Sequence, residues 1–379
     1  MSPPLALDSA WLDLLDELGP ALLGARDRTG EALEGHVAAA SALYTRDRHR
    51  LGEVGLAARL RFFFPRDLPK VEGPLAELHA AGALPSGPWR VLDIGAGLGT
   101  TSLGAAGYAK RLGVPSVQIH AVERDTASLD AFVQLAREAQ KAGLVPPISL
   151  TSSSEDLETL NVASLPEADL IVFGLALNEL FVDRSPSDRR AALETLIAGL
   201  STRLAPGGAL IVLEPAMRDG TRELMRLRDR FEARPDVAVF GPCLRDGPCP
   251  LLRRERDWCH AELALALPDR LAALARGAGL RWEKLTYAYL TLRNGPRAWD
   301  GDARVWRVVG GPVATKGKTE WDLCGGHGLV RIRRLERERS ENNAGLDEAR
   351  RGARLRIEQP LADGDALRAR PGVSVQRVD

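Results

Sequence analysis

From Trp89 onward, short apolar runs alternate with stretches whose apolar residues recur every three or four positions. The runs are RVLDIG, VQIHAVE, PISLTS, ADLIVFGLA and GGALIVLEP, and the stretches between them include TTSLGAAGYAKRL, TASLDAFVQLAREAQKAG and DRRAALETLIAGLSTRL. Each stretch has the length of a crossover helix, so the alternation predicts βαβ units around a parallel sheet, an α/β fold. Residues 1 to 88 carry a different period. Leu12, Leu15 and Leu18 fall on one face of a predicted helix, Val37, Ala40 and Tyr44 on a face of another, and Asp8 and Ser9 are candidate caps. After Glu214 the pattern predicts a charged helix near Asp219 to Arg234, the helix PDRLAALARGAG, and two runs, LRWEKLTYA and YLTLR. From about Trp299 it turns to strands, ARVWRVVGGPV, KTEWDLC, GLVRIRRLE and ARLRIEQPL, with RERSENNAG as a loose turn among them. The expected division is a helical region over 1–88, a Rossmann-like domain over 89–295 with an insertion at about 237–265, and a β-rich basic extension over 296–379.

Composition narrows the partners. Lys plus Arg and Asp plus Glu balance at 51 each, so no global field draws the chain to nucleic acid or to an anionic membrane. The opening MSPPLALDSAWLDLLDELGP has acidic residues and no basic one, unlike a secretory signal or a transit peptide. No apolar run approaches the roughly 18 residues of a membrane helix. The expectation is a cytoplasmic monomer with neither membrane nor DNA as partner, whose thiols stay reduced.

The first apolar run ends in VLDIGAGLGTTS, which sets Gly95, Gly97 and Gly99 between a strand and a helix. Missing side chains let that backbone turn sharply and approach a ligand. The third glycine comes one residue earlier than in a dinucleotide fingerprint, a spacing that suits S-adenosylmethionine better than a pyrophosphate. Glu123 ends the second run in HAVERD, 28 residues after Gly95, where a carboxylate can accept both ribose hydroxyl protons. With LAPGGALIVLEP downstream, the pattern is that of a class I methyltransferase. Asp93 is expected to orient the loop through its backbone N–H groups, Glu155 or Asp156 to border the adenine, and Asn178 to face the pocket beside Glu179, a helix cap being the other role for that pair. No methyl-transfer base stands out. An Asn/Asp-Pro-Pro-Tyr/Phe cradle is lacking, and the Pro248-Cys249 pair follows the fifth strand instead of the fourth.

All four cysteines, Cys243, Cys249, Cys259 and Cys324, follow the spacing C-x5-C-x9-C-x64-C. Four thiolates suit a tetrahedral zinc or an iron–sulfur cluster. The absence of a tight C-x2-C knuckle and the Cys249-Pro250 flank favour a cluster; His260 and His327 keep a mixed zinc site open, and buried thiols without a metal are a third reading.

At these residues the chain resembles the methyltransferase-like family of the mitochondrial small ribosomal subunit and its bacterial relatives, the Rsm twenty-two or methyltransferase-like protein seventeen family. The resemblance spans nearly the whole chain, through SALYTRDR, LAARLRFFFPRDLPKV, VLDIGAGLGTTSLGA, LALNEL, GPCLRDGPCPL with DWCH, YAYLTLR and RVVGGPVATKGKTEWDLC; after Arg339 it follows the family pattern poorly. It implies a four-iron four-sulfur cluster on Cys243, Cys249, Cys259 and Cys324, and S-adenosylmethionine held by Gly95, Gly97, Gly99 and Glu123. It also implies binding to the small ribosomal subunit or its rRNA during assembly. A working rRNA methyltransferase and a small-molecule methyltransferase with a metal-bound cap are the alternatives. Between Pro296 and Arg356 basic residues outnumber acidic ones, and Lys316, Lys318, Arg331, Arg333 and Arg334 are the expected phosphate-facing surface.

Overall fold

The structure, a computed structural model, describes residues 5–46, 55–297 and 302–378. The expected boundary at Trp299 and the last two residues of SALYTRDR lie outside the described residues.

The N-terminal region runs β1 (Leu5–Ala6), α1 (Ser9–Leu23), α2 (Gly30–Arg46), α3 (Leu56–Ala58), a π-helical turn Arg59–Phe63, α4 (Phe64–Asp67) and α5 (Glu72–Ala80). Asp8 caps α1 by accepting from the Ala10 amide at 3.0 Å, whereas Ser9 is already the first helical residue. Leu12 and Leu15 are buried with Val37 and Ala40, and they pack into the same core as the sheet residues Val91 and Ile119. The helical region therefore covers one face of the sheet.

That sheet is built from β2 (Trp89–Ile94), α6 (Thr100–Arg111), β3 (Val117–Val122), α7 (Thr126–Lys141), β4 (Ile148–Ser153), β5 (Ala168–Gly174), α8 (Pro186–Ser201), β6 (Leu204–Pro215), α9 (Arg218–Glu232), β7 (Ala238–Gly241), β8 (Ala261–Leu263), β9 (Leu265–Ala266), α10 (Asp269–Gly277) and β10 (Leu285–Arg293). Strand order is β4-β3-β2-β5-β6-β10-β7, with β2 to β6 parallel and β10 antiparallel to its neighbours. This is a class I methyltransferase sheet. Alternate residues of its strands enter opposite cores: Val91 and Val172 face the N-terminal helices, while Leu92 and Phe173 face α8 and α9 through Leu193 and Leu227. Parallel strands covered on both faces read as continuous apolar runs, which is why they were legible. The two runs LRWEKLTYA and YLTLR instead form one strand, because no residue separates them, and it begins only at Leu285, after the charged Arg281, Glu283 and Lys284.

The C-terminal region is a seven-stranded sheet, in the order β15-β16-β13-β12-β11-β14-β17. Its strands are β11 (Val305–Thr315), β12 (Lys318–Gly325), β13 (Gly328–Leu335), β14 (Arg354–Glu358), β15 (Leu361–Asp363), β16 (Ala366–Arg368) and β17 (Ser374–Arg377). It has its own core around Trp306, Trp321, Ile332 and Leu355. RERSENNAG is not a loose turn. It folds into 3-10 turns at Glu336–Glu338 and Glu341–Leu346, with Ser340 and Asn343 forming a capping box. Asn343 is fully buried, accepts from Arg334 and donates to the Glu338 carbonyl at 2.9 Å, so hydrogen bonds offset its desolvation. The sheet is stitched to the rest of the chain by Arg307, buried on β11, which donates to Glu77 on α5 at 2.5 Å and to the Tyr289 hydroxyl on β10 at 3.2 Å.

Candidate functional site

Strand order reverses direction between β2 and β5, and the carboxyl ends of β2, β3 and β5 meet there, where doubly wound sheets leave a crevice. Gly95, Gly97 and Gly99 follow β2 with φ of 67°, 53° and 74°. A β-carbon on Gly95 would lie 2.8 Å from that of Ala176, and one on Gly99 would overlap the Phe132 ring. Helix α6 begins at Thr100, directly after the loop. Glu123 stands at the end of β3 and faces the loop: its carboxylate accepts from the Gly97 amide at 2.9 Å and from the Asp125 amide at 3.0 Å.

Asp93 does a different job from the one expected. It is buried under the loop and accepts from the hydroxyl and amide of Ser102 in the first turn of α6, not from loop amides. Burial pushes its carboxyl up to about 7, against the hydrogen bonds from Ser102. Asp156 caps a turn by accepting from the Glu158 amide at 2.9 Å, and Glu155 is half-buried.

Asn178 and Glu179 sit on a 3-10 turn, Leu177–Glu179, just beyond β5. Leu175 and Phe181 flank it with φ of 63° and 53°, left-handed values that cost a branched or bulky residue about 1–3 kcal/mol and cluster at functional sites. The strain is held in place by Arg189 of α8, which donates to the carbonyls of Leu180 at 2.9 Å and Leu177 at 3.0 Å. Asn178 is 4% exposed, and its Oδ1 has no hydrogen-bond partner. A buried acceptor left open beside a glycine loop suits a ligand that donates. Glu179 is pushed up to about 7, by burial first and by the nearby Glu123 charge, with Arg59 opposing.

The raised Glu179 pKa makes a pH prediction. A carboxyl whose folded pKa exceeds its unfolded value holds its proton more tightly when folded, so it costs stability as pH rises from about 4.5 to about 7. Glu179→Gln should therefore be more thermostable than the wild type at pH 8, by on the order of 3 kcal/mol at most. The gap should close towards pH 4.5 in paired melting curves; a gap that does not change with pH would contradict the burial of this carboxyl.

A second site lies at α9. Cys243, Cys249, Cys259 and Cys324 line one pocket together with Met225, Arg228, Arg245, Tyr289, Leu290 and Arg307. Helix α9 organises the insertion around it. Arg222 donates to the carbonyls of Leu252 at 3.1 Å, Arg254 at 2.8 Å and Asp257 at 2.6 Å; Arg228 donates to those of Arg245 at 2.7 Å and Gly247; and Asp229 accepts from the Cys249 amide at 2.9 Å. Cys324 arrives from β12, so the widest gap in the cysteine spacing is closed by docking of the C-terminal sheet. All four thiols are free. Burial pushes Cys249 up to about 11 and Cys324 up to about 12, and in both the neighbouring thiols add to the rise. Among the described residues no three His, Cys, Asp or Glu side chains are placed to hold a metal ion. His260 instead stacks on Trp258 at 5.6 Å and His327 lies beside Trp306; neither lines the cysteine pocket.

The expected basic surface is largely neutralised. Lys318 pairs with Glu320, Arg331 with Asp322, and Arg333 with Glu320 and Asp363, while Arg334 is buried against Asp347; Lys316 is exposed at the β11–β12 turn. Arg59, within LAARLRFFFPRDLPKV, opens the π-helical turn, and its Nη2 lies 3.1 Å from where a β-carbon on Gly97 would sit, a placement that no period in the sequence indicates.

Among the described residues no helix is long and apolar enough to cross a membrane. A model of the family described as mitochondrial small ribosomal subunit Rsm22 matches residues 81–353. No curated protein sequence matches the chain. Solved structures similar to it include a putative class I S-adenosylmethionine-dependent methyltransferase from Listeria monocytogenes (12% identity, 76% of this chain and 89% of that one, TM-score 0.41). Others are the S-adenosylmethionine-bound magnesium protoporphyrin IX methyltransferase from Synechocystis (14%, 70% and 100%, 0.35) and TrmN from Thermus thermophilus (19%, 61% and 53%, 0.33).

Proposed function

The chain belongs to the Rsm22 family of the mitochondrial small ribosomal subunit, and from that premise we propose a factor that docks on the small ribosomal subunit or its rRNA and supports its assembly. In this reading it carries S-adenosylmethionine and a four-iron four-sulfur cluster. The family match supports the docking, and the observation that supports the cluster is the shared pocket of the four cysteines, drawn from an insertion of the α/β sheet and from the C-terminal sheet.

Cys243, Cys249, Cys259 and Cys324 would hold the cluster. Arg228, Arg245 and Arg307 line the same pocket, where Arg228 is already paired with Asp229 and Glu232 and Arg307 with Glu77. Bound there, the cluster would cross-link two regions of the chain.

Gly95, Gly97, Gly99, Glu123 and Asn178 would hold S-adenosylmethionine, with Asp93 fixing the start of α6 beneath it. The bound cofactor supplies an electrophilic methyl group. Glu123 would exchange its backbone bonds for ribose hydroxyls, and the open Oδ1 of Asn178 would accept from the ligand. One observation favours a working rRNA methyltransferase as second reading: the half-buried Glu179 carboxyl, raised to about 7 at the edge of this crevice, could accept a proton from a nucleophile.

Mapping methylated nucleotides in small-subunit rRNA from cells with and without the gene separates the two readings. The assembly factor predicts an unchanged map and accumulating subunit precursors. Loss of one methyl mark would transfer the role to the enzyme.

A further inference from the structure

At the mouth of the glycine loop one guanidinium reaches in from outside the residues that the family model matches. Arg59 opens the π-helical turn Arg59–Phe63, whose Leu60 and Phe62 are buried in the N-terminal core. Its backbone is thus anchored while its own side chain stays partly open to solvent. Nη2 lies 3.1 Å from where a β-carbon on Gly97 would sit. Nη1 donates to Asp125 Oδ2 at 3.4 Å, a long contact to a half-exposed carboxylate that contributes little.

The charges around this guanidinium form a pattern. Glu123 ends β3, Asp125 follows it, and Glu179 comes from the turn after β5; the Tyr44 hydroxyl interacts with both Arg59 and Glu179, and Arg124 with Glu179. S-adenosylmethionine carries two cations, the sulfonium and the ammonium, and a single carboxylate. Glu123 suits its ribose hydroxyls and the acidic surroundings suit its cations, but its carboxylate calls for a cationic fork. Arginine binds carboxylates through two parallel N–H donors, which a loose partner such as Asp125 leaves available.

We infer that Arg59 binds the amino-acid carboxylate of S-adenosylmethionine, releasing Asp125 as it does so, and that the N-terminal helical region thereby completes the cofactor pocket. The inference rests on the reading of the glycine-loop crevice as an S-adenosylmethionine site. It assigns the adenosine half of the ligand to β2, β3 and β5 and the amino-acid half to the helices that precede them. A ligand that lacks the amino-acid half should be indifferent to Arg59.

Calorimetry on the full chain tests this with S-adenosylmethionine, S-adenosylhomocysteine and 5′-methylthioadenosine, which keeps the adenosine and has no carboxylate. Arg59→Met should weaken the first two at least about tenfold and the third less than about twofold, the loss of a charge-assisted pair and of nothing else. Arg59→Lys, which keeps the charge without the fork, should fall between and guards against a folding defect in the first variant. Unchanged affinity for S-adenosylmethionine in Arg59→Met, or an equal loss for all three ligands, would overturn the inference while leaving the crevice a cofactor site. A wild-type chain that binds none of the three would overturn the crevice reading itself, and the assignment of Arg59 with it.

Discussion

Cys324→Ser should purify with almost no iron and should lose the stabilisation that the loaded protein gains from its cluster, at least about 3 kcal/mol by linkage. The substitution also puts a hydroxyl among the apolar neighbours Met225, Leu251 and Val309, at a cost of about 1–3 kcal/mol at most. Serine differs by one atom, and position 324 sits within β12, paired in register with Arg307 and Leu329, where the backbone ladder does not depend on the side chain. The apo variant should therefore melt no more than slightly below the apo wild type. The difference should appear only after anaerobic reconstitution, as protection of the Cys243–Cys259 segment from protease in the wild type alone. A variant that retains wild-type iron content would show that the thiol contributes by packing and not by ligation.

Gly99→Val is expected to abolish S-adenosylmethionine binding and to destabilise the chain by about 3 kcal/mol or more. Two costs coincide. The residue adopts φ 74°, which a β-branched side chain reaches only with strain, and its β-carbon would overlap the Phe132 ring, part of the fully buried face of α7. Phe132 has nowhere to move, because it is packed at the centre of the core between the sheet and the helices. Relief must come from the loop, and any loop shift moves the Gly97 amide away from Glu123, dissolving the contact that positions both. Chemical denaturation and calorimetry on the same sample check the two effects; a stable variant that still binds the ligand would remove the loop from the account.

What the sequence revealed was whatever repeats locally. The βαβ alternation, the Gly95–Gly97–Gly99 loop and the Leu12–Leu15 face are periodic or contiguous, and the structure places them as read. Side chains that meet across long separations left weaker traces. Four cysteines could be noticed by count, but nothing in their spacing indicates that α9 would pin the insertion through Arg222 and Arg228. Charge counting failed at the C-terminal sheet for a register reason: Asp322 lies opposite Arg331 and Glu320 opposite Arg333, so cross-strand pairs consume the cations that a linear tally leaves free. The strands β15 to β17 are too short to show an alternating pattern, and RERSENNAG is polar enough to pass for a loop until Asn343 is seen with its hydrogen bonds in place. Arg59 escaped because its partners come from β3 and from the loop after β5, which no sequence period connects to it.

The central claim is an inorganic centre shared by two parts of the chain, and elemental analysis of protein purified without oxygen tests it most directly. The account predicts brown protein with about four irons and four acid-labile sulfides per chain, as four cysteine ligands imply. Colourless protein with one zinc per chain, or with no metal, would contradict it.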